Sequence, residues 1–259
     1  MRNSIFYFTG TGNSLKIAKD LQTRIGSTDL HTIPRGEAKI EGDVVGFVFP
    51  IYFARAPVIV QEFIERAEVG RVDYLFLVAN GGGLFGTALK RLAVLLRKRS
   101  LTARAGFLIS MPGNHPKVAS LQRRAHESYF RHQVERTDRI ATMVVQRAWQ
   151  TLETNLGPIG PIISTIGFTG PYRRSLQHRL DEDFRVTERC IGCGTCESVC
   201  PVGNISRASS TGQPRWNHRC ANCAACYHHC PQEAIEMTGI SKQMKRYRHP
   251  EITLAELMA

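Results

Sequence analysis

Ser4-Ile5-Phe6-Tyr7-Phe8-Thr9-Gly10-Thr11-Gly12-Asn13-Ser14 begins as an apolar run and ends in a loop of small and hydroxyl residues. Ser4–Thr9 reads as a strand, and Ser14–Ile25, apolar at helical spacing, as a helix. Backbone N–H groups of such a loop converge on an anion, and the helix N-terminus adds a favourable dipole. No lysine follows and the spacing is not G-x₄-G-K, so a nucleoside triphosphate does not fit. Leu15 stands where a G-x-G-x-x-G dinucleotide fingerprint needs its third glycine. A hydroxyl-rich loop without lysine suits a terminal phosphate monoester, such as that of FMN. The plainer reading is a capped helix start with Asn13 or Ser14 as N-cap.

Outward from this loop, short apolar runs alternate with helical patterns. Leu30–Ile33, Val44–Pro50, Tyr74–Asn80 and Arg104–Ser110 read as strands; Val58–Ala67 and Thr87–Arg99 read as helices. The alternation predicts a doubly wound α/β fold, a five-stranded parallel sheet whose ligands sit beyond the carboxyl ends of its strands. Two further loops lie at those ends. Pro50-Ile51-Tyr52-Phe53-Ala54 places an aromatic pair where it can cover a flat ring. Asn80-Gly81-Gly82-Gly83-Leu84-Phe85-Gly86 lets backbone approach a ring edge closely. Ordinary packing and a mobile turn are the bland alternatives, but three such loops on one edge favour a single ligand.

All eight cysteines lie beyond residue 189, in two copies of C-x₂-C-x₂-C-x₃-C-P. Cys190, Cys193, Cys196 and Cys200 precede Pro201; Cys220, Cys223, Cys226 and Cys230 precede Pro231. This spacing holds 4Fe–4S clusters, with the fourth cysteine of each run crossing to the other cluster. The expected sets are Cys190, Cys193, Cys196 and Cys230, and Cys220, Cys223, Cys226 and Cys200. Zinc sites instead pair two C-x₂-C knuckles. No C-x₃-C-x₂-C run supports radical chemistry with S-adenosylmethionine.

The element order and the Thr9–Ser14 loop resemble flavodoxin over residues 1–150. With the cysteine runs of 185–238, the whole chain resembles the bacterial and archaeal flavodoxin–ferredoxin fusion family. That resemblance implies a flavodoxin-like domain followed by a small α+β two-cluster ferredoxin domain. It implies that Thr9, Gly10, Thr11, Gly12, Asn13 and Ser14 hold the FMN phosphate. It also implies that Tyr52, Phe53 and Ala54, with Asn80, Gly81, Gly82 and Phe85, border the isoalloxazine. Phe85 is the candidate for the second stacking aromatic. Flavodoxins are commonly acidic, so their usual partners do not carry over to this basic chain.

Residues 151–184 are expected as a helical and apolar linker, and 239–259 as a basic tail. The segment 117–153 reads as one or two helices leading out of the first domain, with Val134, Ile140, Val144, Val145 and Ala148 as apolar positions. Leu156–Pro171 is a Gly- and Pro-broken apolar stretch, read as interdomain packing. His115 reads as part of a turn after the fifth strand, with proton donation as the alternative. Gly212-Gln213-Pro214 reads as a hairpin turn and Trp216 as filling the small core. His218, His228 and His229 sit beside cysteines that already complete eight ligands, so they are read as tuning charge and solvent. Lys242–Arg248 reads as a solvated basic run or a docking patch.

The chain of 259 residues is 42% hydrophobic and 22% charged, with a formal net charge of +12. Two oxidised clusters and a flavin phosphate, at about −2 each, leave roughly +6. The excess favours acidic redox partners, a ferredoxin-like donor or an acceptor reductase. Scattered charges without a recognition motif argue against nucleic acid. Thiols used as ligands point to a reducing cytoplasm, with no leader and no transmembrane stretch expected. The reading is an electron carrier passing charge between clusters and FMN. The alternatives are a ferredoxin-dependent reductase of a small organic acceptor at the flavin, and a redox-sensing module.

Overall fold

The structure, a computed structural model, describes residues 2–33, 39–155, 169–241 and 244–258. Most of the Leu156–Pro171 stretch, residues 156–168, and the start of the Lys242–Arg248 run therefore lie outside the described residues.

Five parallel strands, β1 Asn3–Tyr7, β2 Thr28–Thr32, β3 Lys39–Pro50, β4 Glu68–Gly81 and β5 Ala103–Ser110, pair in the order β2-β1-β3-β4-β5. The crossover helices are α1 Asn13–Ile25, α2 Val58–Arg66 and α3 Ala88–Lys98. The continuous apolar runs follow from burial on both faces of the sheet. Along β4, Tyr74, Phe76 and Val78 pack on one side, while Leu75, Leu77 and Ala79 pack on the other. The chain order reverses between β1 and β3, and this switch point opens the crevice in which doubly wound sheets bind ligands. The fold is flavodoxin-like.

β3 and β4 begin earlier than the apolar runs suggested. Lys39 pairs with Glu68 and Ile40 with Val69, past a bulge between Ile40 and Gly42. Glu41-Gly42-Asp43 and Gly70-Arg71 look like turns in sequence, but the two strand starts pair with each other, with Ile40 buried in the core and Val69 packed against it.

The segment after β5 forms α4 Pro116–Leu121, a 3₁₀ turn at Arg123–Ala125, and α5 His126–Val145. α5 does not lead away from the sheet. It packs beside α1, burying Ile140, Ala141 and Val144 in the core on that face. Val134 and Val145, read as apolar face, are instead exposed. The chain then runs along β5, where Leu152 bridges to Gly106 in parallel.

After α6 Thr169–Leu176, the small domain is built from β6 Phe184–Val186 paired antiparallel with β9 Ile235–Met237, and β7 Ile205–Arg207 paired with β8 Pro214–Trp216. Ala208 N–H donates to Gln213 O at 2.9 Å, closing the β7–β8 hairpin. Short helices α7 Thr195–Ser198 and α8 Ala225–His229 each carry the third cysteine of a run. α9 Leu254–Met258 ends the described chain. Among the described residues no helix is long and apolar enough to cross a membrane.

Candidate functional site

α1 starts without a side-chain cap. Its N-cap position is Gly12, at φ 96°, a left-handed conformation that glycine adopts without strain. Asn13 and Ser14, the cap candidates, point elsewhere. Asn13 Nδ2 donates to Pro112 O at 2.8 Å and its Oδ1 accepts from Tyr247 Oη at 2.6 Å. Ser14 Oγ accepts from Asn80 Nδ2 at 2.8 Å, and Asn80 also reaches Phe49 O at 3.1 Å. These side chains therefore tie the loop to the ends of β3, β4 and β5. The first-turn amides of α1, which an α-helix leaves without intrahelical partners, are not capped by a side chain.

Thr9, Gly10, Thr11, Asn13 and Ser14 line a narrow cleft over this helix start, opposite Pro50, Ile51, Tyr52, Asn80, Gly81 and Gly82. It adjoins a wider, mainly apolar cleft of about 410 Å³, bordered by Ile51, Tyr52, Phe53, Ala54 and Gly82. Phe53 and Ala54 adopt left-handed φ values of 52° and 55° in a turn closed by Tyr52 N to Arg55 O at 3.0 Å. That turn sets the aromatic pair at the mouth. A narrow polar slot opening on a flat apolar cleft matches a phosphate joined to a ring system.

Four predicted residues, Gly12, Gly83, Phe85 and Gly86, line neither cleft. Phe85 is buried, and Asn155 explains the loop: its Oδ1 accepts from Phe85 N at 3.1 Å and Gly86 N at 2.8 Å, and its Nδ2 donates to Gly83 O. Leu84 takes the position on the cleft that the sequence suggested for Phe85. Residues not anticipated also line it: Val118 of α4, and Asn222, Ala224 and Met237 of the small domain. Asn114 and His115, in the turn after β5, border it too; burial lowers the His115 pKa, and its side chain makes no cap hydrogen bond.

The cysteines form no disulfide and gather into two quartets. Cys190, Cys193, Cys196 and Cys230 wall one small cavity; Cys200, Cys220, Cys223 and Cys226 wall the other. Among the described residues, no three His, Cys, Asp or Glu side chains close on a single-ion site. Each quartet offers the donor set of a cluster, four cysteine sulfurs around a shared cavity. The two quartets differ in burial. Cys193 is exposed, with its thiol lowered by the Thr195 hydroxyl, whereas Cys200, Cys220, Cys223 and Cys226 are all buried. Burial pushes Cys220 up to about 12 and Cys223 and Cys226 well above the ordinary thiol range. The Trp216 N–H, which reaches toward Cys226 Sγ, acts against that rise. Left to the polypeptide, these groups are thiols, and a bound metal must draw off their protons.

The buried quartet abuts the cleft. A Cβ built on Gly10 would meet Cys223 O at 2.5 Å and Cys223 Cβ at 2.7 Å, so only glycine allows this contact. Tyr52, in the same apolar cluster as Cys223, has its phenol pushed up by burial and then by the Cys223 and Cys220 sulfurs.

In the carboxyl-terminal segment Lys245 and Arg248 are exposed, but Arg246 and Tyr247 pack inward. Arg246 stacks over the Tyr227 ring at 3.5 Å and donates to Tyr227 O, to Glu233 O at 3.0 Å and to Ile235 O at 2.7 Å. Tyr247 N donates to His228 Nδ1 at 3.0 Å, so His228 Nε2 carries the proton and donates to Asn114 O at 2.7 Å. Burial lowers His228 to about 3, keeping it neutral. His229 Nε2 lies 3.3 Å from Gly10 O. His249 N donates to Thr11 O at 2.8 Å. His228 and His229 are therefore joints between the cleft loops and the small domain, whereas His218 Nδ1 lies 3.0 Å from Asp181 Oδ1. The buried Tyr247 and Ile252 within the basic tail were the available signal.

Residues 189–235 match the family model described as a 4Fe-4S dicluster domain. No curated protein matches. Among solved structures, the chain is similar to a short-chain flavodoxin associated with a non-canonical PDU bacterial microcompartment, at 14% identity over 57% of this chain and 99% of that one, with a TM-score of 0.41. It is also similar to a flavodoxin from the domain Archaea, at 12% over 55% and 99%, TM-score 0.37. A third is an azoreductase from Bacillus anthracis str. Sterne, at 12% over 54% and 99%, TM-score 0.40. The fold class rests on the strand order rather than on these scores. A flavodoxin-like sheet followed by a 4Fe–4S dicluster domain is the arrangement of a flavodoxin–ferredoxin fusion, and it gives the chain a redox role.

Proposed function

We propose that the protein passes electrons between two 4Fe–4S clusters and a bound FMN, relaying them between low-potential redox partners. Cys190, Cys193, Cys196 and Cys230 would hold one cluster, and Cys220, Cys223, Cys226 and Cys200 the other. The first-turn amides of α1 with Thr11 would hold the phosphate, and Tyr52, Phe53, Ala54, Asn80, Gly81 and Gly82 would border the ring. When bound, FMN exchanges electrons singly or in pairs. The polypeptide's part is to exclude water, fix the separation and supply hydrogen bonds. The single observation that carries this reading is the Gly10–Cys223 contact, with Asn222 and Ala224 in the cleft wall, which brings the buried quartet to the edge of the ring site. The other quartet, in which Cys193 is exposed, would then face partners.

The reading includes an FMN domain at 1–150, a linker at 151–184, a cluster domain at 185–238 and a tail at 239–259. It also includes a cytoplasmic setting and acidic redox proteins as partners. Anaerobic purification with iron, sulfide and flavin counts tests it, with about eight irons expected. Colourless or zinc-loaded protein would end it. Thr11→Val should weaken FMN but not riboflavin; equal loss of both would remove Thr11 from the phosphate site.

A further inference from the structure

The two quartets differ in their surroundings as well as in their exposure. Backbone N–H groups reach sulfur at both: Asn204 to Cys200 at 3.2 Å and Asn222 to Cys220 at 3.3 Å at the buried one, Ala234 to Cys230 at 3.2 Å at the other. Near the buried quartet are two buried side-chain donors, Tyr52 Oη and Trp216 Nε1, that complete no hydrogen bond among the described residues. A buried donor left unpaired is costly, so each requires an explanation.

Both donors are held firmly. The Trp216 indole stacks on Phe184 at 6.0 Å and 10°, and lines the cavity among Cys200, Cys220, Cys223 and Cys226. Its N–H turns toward Cys226 Sγ without closing a full hydrogen bond to it. Tyr52 sits edge-on to Phe8 at 6.4 Å and packs in the apolar cluster that contains Ala221, Cys223 and Ala225. The same ring lines the apolar cleft with Asn222 and Ala224. One phenol thus lines the ring site beside the two residues that flank Cys223.

Reduction adds a negative charge to a cluster, and burial opposes it. Donors directed at the sulfurs offset that cost and raise the reduction potential. We propose that Tyr52 and Trp216 are positioning residues that set the potential of a 4Fe–4S cluster held by Cys200, Cys220, Cys223 and Cys226, the phenol O–H and indole N–H donating to its sulfurs. This rests on the two-cluster reading above. It makes Tyr52 the side chain through which the ring site and the buried cluster affect one another.

The test uses the full chain, purified without air, as wild type, Tyr52→Phe and Trp216→Phe. Both substitutions keep an aromatic ring and remove the donor. Iron and sulfide are counted, and each cluster is titrated electrochemically while its EPR signal is followed. Each variant should carry wild-type iron and lower the midpoint of one cluster. The expected shift is a tenfold change in the reduction equilibrium, ~59 mV for one electron, with the other cluster unmoved. Full loading with both midpoints unmoved in both variants overturns this assignment and leaves the two-cluster reading standing. A wild type without iron overturns that reading, and the assignment falls with it. Loss of the buried cluster in either variant, in place of a shift, gives that residue a structural role and counts against the proposal.

Discussion

Tyr247 Oη donates to Asn13 Oδ1 at 2.6 Å, joining the carboxyl-terminal segment to the first residue of α1 across the whole length of the sequence. Both groups are buried. Asn13 spends its amide on Pro112 O, so the segment, the loop after β1 and the loop after β5 are fixed together. Tyr247→Phe leaves Asn13 Oδ1 without its donor. The expected cost is about 1–2 kcal/mol in stability, and FMN affinity should fall about three- to tenfold. Thermal unfolding and flavin fluorescence titration read the two effects. A variant that melts and binds as the wild type would show that the clasp does not hold the loop.

His249 makes the same clasp sensitive to pH. Its backbone N–H holds Thr11 O, its Nδ1 accepts from Glu251 N–H at 3.2 Å, and its ring meets Phe130 edge-on at 4.8 Å. Burial lowers its pKa from 6.5 to about 4; Lys16 acts in the same direction, while Glu251 and Asp20 act against it. A folded pKa below the unfolded one means that the unfolded chain takes up the proton first. The stability from neutral His249 is complete above pH 6.5 and is lost as pH falls toward 4. Between pH 7 and 5 that loss is on the order of 2 kcal/mol. His228 and His229 are lowered likewise, to about 3 and about 4, and add the same sign. His249→Asn keeps an acceptor and removes the titration, so its urea midpoint should vary less with pH than the wild type's. Parallel profiles would show that His249 does not titrate on unfolding.

The sheet was legible because Phe47, Phe49, Phe76 and Val78 lie in runs buried on both faces, and such runs are strands whatever surrounds them. The cysteine quartets were legible because ligand spacing is a local property of each run. The early starts of β3 and β4 were not, because Ile40 and Val69, though they pack on the core, stand singly among charged and glycine neighbours. Phe85 was assigned to the cleft as an aromatic in a glycine loop, but Asn155, seventy residues on, turns that loop inward. The same limit hid the clasp: Arg246, Tyr247 and His249 look like a charged run, and only their partners on Tyr227, Asn13 and Thr11 give them a role.

The crossing of ligands between runs gives opposite outcomes for two cysteines of like sequence position. Cys200 belongs to the first run but walls the buried cavity, and Cys230 belongs to the second but walls the exposed one. Cys200→Ser should remove or alter the buried cluster and Cys230→Ser the exposed one, each lowering iron from about eight toward four. EPR of the reduced variants distinguishes the losses. Because the buried cavity adjoins the cleft, Cys200→Ser should also disturb the flavin spectrum, whereas Cys230→Ser should not. The reverse assignment of signals would show that each run binds its own cluster.

Gly10 offers the sharpest test of the shared wall. The atoms nearest to an added Cβ, Cys223 O at 2.5 Å and Cys223 Cβ at 2.7 Å, belong to backbone or sit next to it and cannot rotate away. Gly10→Ala must therefore separate the loop from the quartet, as overpacking does, at about 1–3 kcal/mol. For a chain of this size that lowers the melting temperature by about 2–4 °C per kcal/mol. Iron content should hold, because Cys223 keeps its three companions, while flavin affinity falls and flavin reduction by dithionite-reduced clusters slows. Gly170→Ala is the control, with no described residue within 4 Å of its added methyl and no loss of melting temperature expected. If Gly10→Ala reduces its flavin as fast as that control, the contact is packing alone, and electrons reach the ring site by another route.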